Sequence, residues 1–204
     1  MRQHIGFRAL LVSAAVLVGV VGAAVSPVGA KSSVNTNGDQ VSCTGFTGTW
    51  SFSPGLTTGN NGGVREMTQT GHFSGCTSSG PVPVTIRRAT LTGSAPAPTL
   101  NSCSAFQSGG FAVRSVVKWK TKPKMTSPNS VLTFQASDAV SPNVTVGNVG
   151  GSTAVTGAFE GSDGGSTSVI HLNSAMSNNE FQVMCASKFG VPGFNFVSGS
   201  LSLG

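Results

Sequence analysis

From Cys43 onward the chain alternates apolar with polar residues in short runs, and Gly, Pro, Asn and Ser clusters separate the runs. Alternation of this kind puts every second side chain on one face of an extended chain, whereas no segment after the first thirty residues keeps a helical period. The runs predict strands near 43–53, 64–76, 82–94, 110–121, 130–137, 143–149, 153–160, 167–173, 181–187 and 194–203. About ten strands this closely spaced predict an all-β fold, a single antiparallel β-barrel or β-sandwich. Ser53-Pro54-Gly55, Asn60-Asn61-Gly62-Gly63, Ser94-Ala95-Pro96-Ala97-Pro98 and Gly161-Ser162-Asp163-Gly164-Gly165 read as turns or loops between them.

A six-residue pattern recurs as Thr70-Gly71-His72-Phe73-Ser74-Gly75 and Thr156-Gly157-Ala158-Phe159-Glu160-Gly161, with looser echoes at Thr47-Gly48-Thr49-Trp50 and Ser198-Gly199-Ser200-Leu201. In a strand, Gly and the bulky residue two positions on share a face. A small residue beside a large one suits the inside of a tapered barrel.

The N-terminus follows different rules. Arg2 and Arg8 precede an uncharged apolar run from Ala9 to Val25, and Ser26-Pro27 leads to a small-residue site at Val28-Gly29-Ala30. This order is that of a secretory signal peptide over 1–30, forming a signal helix and cleaved before Lys31; the apolar run is short against the roughly 20 residues of a membrane span. Residues 31–40 carry little apolar content and are expected to be a flexible N-terminal tail, leaving 41–204 as one all-β domain with no membrane span in the mature chain. The expected location is extracellular or associated with the cell wall.

Export changes the meaning of the four cysteines, Cys43, Cys76, Cys103 and Cys185. An even number in an exported chain predicts two disulfides. No two of them have the close spacing of zinc ligands, so no metal site is expected. Three pairings are open. Cys43 with Cys76 is preferred because they open and close one long hairpin, which leaves Cys103 with Cys185.

The opening Cys43-Thr44-Gly45 ahead of an aromatic strand and the closing Ser198-Gly199-Ser200-Leu201-Ser202-Leu203 resemble the small exported Gly/Ser/Thr-rich β proteins of actinobacteria. That resemblance implies a fold class and a compartment, without an activity. Cys43 to Trp50 and Val116 to Lys120 are also similar, over about two strands, to the Gly-x-Trp opening strand and a Trp-bearing middle strand of avidin-type barrels. This chain has no Tyr and two Trp, Trp50 and Trp119, where that family uses several, so no binding residue is carried over.

Catalytic parts are few. Outside the signal region the histidines are His72 and His171, and both fall on the polar side of their strands. Asp138, Glu160 and Asp163 are carboxylates that no pattern brings together. Neither a nucleophile elbow, a phosphate loop nor a calcium loop is present, so no catalytic residue and no cofactor is expected. A secreted hydrolase would need a pocket that joins His72 or His171 to a carboxylate and a hydroxyl. Asn143-Val144-Thr145 is a glycosylation sequon, relevant only in a eukaryotic host.

Net charge is +6 for the whole chain, too diffuse for a nucleic-acid binder. One feature is concentrated: Arg114, Lys118, Lys120, Lys122 and Lys124 occupy even positions of one extended segment, while Val117, Trp119 and Thr121 take the odd ones. The segment predicts a strand with a basic ridge outward. Such a ridge either guards a sheet edge against aggregation or meets an anionic envelope component. The expected role is binding or interaction without catalysis, and a hollow barrel would add a small apolar ligand as a second class of partner.

Overall fold

The computed structural model describes residues 33–59, 66–95, 102–108, 111–138, 149–160 and 168–204. The expected signal segment, the sequon at Asn143 and Asp163 lie outside these residues.

Eight strands form the fold: β1 (Gln40–Leu56), β2 (Glu66–Ser79), β3 (Thr85–Ala95), β4 (Phe111–Lys122), β5 (Asn129–Asp138), β6 (Val149–Gly157), β7 (Ser168–Ser174) and β8 (Val191–Leu203). Each runs antiparallel to the next, and β8 returns to pair with β1, for instance Val41 with Leu203 and Trp50 with Phe194, which closes the sheet into a barrel. Closure gives every strand two neighbours and so removes the open edges that a sandwich keeps.

The alternation works as the sequence predicts: Val113, Ser115, Val117 and Trp119 point inward from β4, Leu91 from β3, Ile170 and Leu172 from β7, and Phe194 and Phe196 from β8. In the first hairpin the inward set changes parity, from Val41 and Cys43 to Phe46, Trp50 and Phe52 on β1. The change falls beside Gly45 and Gly75, and Gly75 has a φ of 60° that a side chain would resist. Large side chains fill the interior, as a barrel of this strand number permits.

One predicted strand is corrected and another is shifted. Residues 181–187 belong largely to a helix, α2 (Asn178–Ala186), which Ser177 and Glu180 cap reciprocally and whose Phe181 and Cys185, four residues apart, are buried. A short apolar run has no periodicity long enough to separate helix from strand. The strand expected over 153–160 is β6, which starts at Val149 and ends at Gly157; of the strand expected over 143–149, residues 143–148 lie outside the described set. The repeat also divides. Gly71 and Phe73 sit in β2 as expected, whereas Gly157 ends β6 and Phe159 stands in the following turn with a φ of 58°.

A second short helix, α1 (Cys103–Ser108), links β3 to β4, as α2 links β7 to β8, so both lie at the same end of the barrel. Disulfides join Cys43 to Cys76, across directly paired residues of β1 and β2, and Cys103 to Cys185, between the helices. The helices insert Phe106 and Phe181 against Phe194, with ring centroids 5.0 and 5.9 Å away.

The opposite end is closed by the segment expected as a tail. Val34 pairs with Met125, the Phe159 N–H donates to Thr36 Oγ1, and Gly38 N–H donates to the Glu160 carbonyl. Asp39 is fully buried and accepts the Val82 N–H at 2.9 Å. Over 33–39 the backbone of Val34 and Gly38 and the side chains of Thr36 and Asp39 fasten a segment of little apolar content.

Candidate functional site

On β4 the side chains of Arg114, Lys118, Lys120 and Lys122 are exposed, and Lys124 follows in the loop to β5. The structure therefore brings all five expected cations to one outer face. It also places them in the sheet: over Arg114 to Lys118, β4 pairs with β3 on one side and β5 on the other. Edge protection accordingly does not explain Arg114 and Lys118.

The register adds residues that sequence reasoning missed. Lys120 lies directly opposite Arg88 on β3, Lys122 opposite Thr85, and Lys118 opposite Thr90. Arg87 falls at an irregularity in the same ladder, and both arginines are exposed. Their adjacency in a predicted strand was visible. What brings them to the ridge is the hairpin register between β3 and β4, which the long connection hides.

Directly opposed like charges weaken a strand pair. Arg88 and Lys120 are such a pair, and among the described residues no carboxylate is bonded to them or to Lys118, Lys122 and Lys124. The described carboxylates lie elsewhere: Asp39 is buried, Glu160 accepts the Gly157 N–H, Glu180 caps α2 and Glu66 is exposed at the start of β2 opposite Ser53.

Beside these cations the loop 123–128 leaves a cleft of about 600 Å³. Arg88, Lys118, Lys120 and Lys124 supply its charge, Pro128 adds half-buried apolar surface, and Trp119 and Met125 reach it only from the core, with 3% and 1% of their surface exposed. The loop is held in shape. Val34 N–H donates to the Lys124 carbonyl and Thr126 N–H to the Val34 carbonyl, each at 2.9 Å, while Met125 is buried. Trp119 is anchored from within by its Nε1–H donating to Ser130 Oγ at 2.8 Å and by an edge contact with Phe159.

The histidines do not join this site in a catalytic arrangement. His72 is exposed on β2 with Nε2 3.1 Å from Thr47 Oγ1, and His171 is exposed on β7, opposite Gly150 and Ser200. Around His72 the outer face offers hydroxyls from Thr49, Thr70 and Thr90. Among the described residues no three His, Cys, Asp or Glu side chains come together as metal ligands. Trp50 and Trp119 are both core residues, and the interior positions around them are occupied by Phe, Leu and Val.

No known protein family matches this chain, and neither a curated protein nor a solved structure does.

Proposed function

We propose that the protein works outside the cytoplasm as a non-catalytic binding protein whose interaction surface is the basic outer face of β3 and β4. The observation that carries this reading is the Arg88–Lys120 pair: two like charges set opposite each other, without a carboxylate partner among the described residues, at the mouth of a preformed cleft. A bound anion removes the repulsion that the fold otherwise tolerates. The signal-like N-terminus and the two disulfides support an exported location. The partner is an anionic component of the cell envelope.

The test is retention on an immobilised anionic polymer at low salt. Changing Lys118, Lys120 and Lys122 to Gln together should move elution to lower salt while the thermal melt stays in place, because the three side chains are exposed. Unchanged elution of the triple variant would reject this surface.

A further inference from the structure

Resting on that reading of the basic face, we infer that the cleft between Arg88, Lys120 and the loop 123–128 is a site for a small anionic amphiphile: a phosphate or carboxylate head on an apolar body. The inference follows from what the cleft combines. Four exposed cations line it, their aliphatic stems and the half-buried Pro128 give it an apolar wall, and the buried Trp119 and Met125 back that wall from the core. A bare oxyanion uses the first group alone, and a neutral hydrocarbon uses the second alone. A ligand with both parts uses the whole lining.

Size and rigidity agree with this. About 600 Å³ lies within the range of roughly 300–1,000 Å³ typical of small-molecule sites. The wall is built before a ligand arrives: the backbone of Val34 bonds the loop on both sides of Met125, and Thr121 Oγ1 donates to the Pro123 carbonyl at 2.7 Å. A site that needs no ordering keeps more of its binding energy. The head can take two kinds of donor. The planar Arg88 guanidinium offers a fork to two oxygens, and the lysine ammoniums act as point charges.

The experiment is titration calorimetry of the full mature protein with dodecyl phosphate, dodecanoate, inorganic phosphate and dodecyl maltoside, each amphiphile below its micelle concentration. Saturable binding of dodecyl phosphate or dodecanoate at one site is expected, with the preferred one identifying the head group. Inorganic phosphate and dodecyl maltoside should bind at least roughly tenfold more weakly, the scale of one lost charged contact or lost apolar burial. Arg88→Gln with Lys120→Gln should cost a similar factor. Thr90→Trp keeps every cation and puts bulk into the cleft, so it should abolish amphiphile binding yet leave retention on the anionic polymer intact; Thr90→Met serves the same purpose if the larger ring is not tolerated. Equal binding of dodecyl maltoside, equal binding of inorganic phosphate, or full amphiphile binding by a folded Thr90 variant would each overturn the inference. If neither anionic amphiphile binds but the polymer still retains the protein, the cleft assignment fails alone. Loss of retention by the unaltered protein would reject the basic face itself.

Discussion

Phe46 shows how a single side chain uses the glycines that the sequence scatters. It lies against Gly48 on its own strand, Gly71 on β2 and Gly199 on β8, which leave the ring the space that side chains would otherwise occupy. A Cβ placed on Gly71 would meet the Phe46 ring and come within 2.7 Å of the Thr47 carbonyl oxygen, a backbone atom that does not swing aside. Gly71→Val is therefore expected to destabilise the fold by at least about 1–3 kcal/mol, measured by chemical denaturation. Phe46→Leu in the same background should recover part of the loss if the ring is the main obstacle. The pairing of small and large residues was legible from the Thr-Gly-x-Phe pattern in β2. Its second copy was not a copy in space, because Gly157 adopts a φ of 93° and turns the chain where Gly71 continues it.

Among the elements, β4 was the most legible and α2 the least, for one physical reason. Over a dozen residues β4 repeats charge outward and bulk inward, a period of two that no helix reproduces. α2 has nine residues and two buried positions, and its identity rests on its cap. Ser177 Oγ accepts the Glu180 N–H at 3.2 Å, and the Glu180 carboxylate accepts the Ser177 N–H at 2.8 Å. That backbone bond, followed by the Ser177 hydroxyl bond, holds the Glu180 carboxyl below the ordinary glutamate range. A depressed folded-state pKa means that the carboxylate contributes stability above its unfolded value, near 4.3, and loses that contribution as pH falls through its folded value. Hydrogen exchange in α2 should accordingly be faster in Glu180→Gln than in the unaltered protein at pH 7, with the difference closing toward pH 3. A constant difference over that range would remove the carboxylate from the account. Ser177→Ala should cost about 1 kcal/mol at neutral pH.

Closure of the barrel belongs to the whole molecule, and here local pattern stops being informative. Pairing Val41 with Leu203 depends on how eight strands twist together, so the strand runs alone left barrel and sandwich open. The same holds for the cleft, whose Arg88 comes from β3 and whose lysines come from β4 and the loop after it, the two strands being joined by a connection that includes α1. The cysteines were easier, since few pairings exist and one hairpin accounts for the first. The second bridge spans 82 residues and fastens together the two helices that close one end. Replacing Cys103 and Cys185 with Ser should lower stability by about 2–4 kcal/mol and increase exchange at Phe106 and Phe181 before the strands open. Equal loss of protection throughout the barrel would show that the helical end does not open separately.

The two ends of this barrel differ in chemistry. Lys118, Lys120, Lys122 and Lys124 run along β4 away from α1, and α2 lies at the far end with Val183 and Phe189 exposed beside Lys188. If the proposed face holds the molecule at an anionic surface, most of its cations lie toward the end away from the helices, so the contact is asymmetric along the barrel. The disulfide-fastened helices and the exposed Phe189 that follows α2, with the Lys188 ammonium over its ring, would then stand clear of the charged contact. A layer of such molecules would repeat that one orientation.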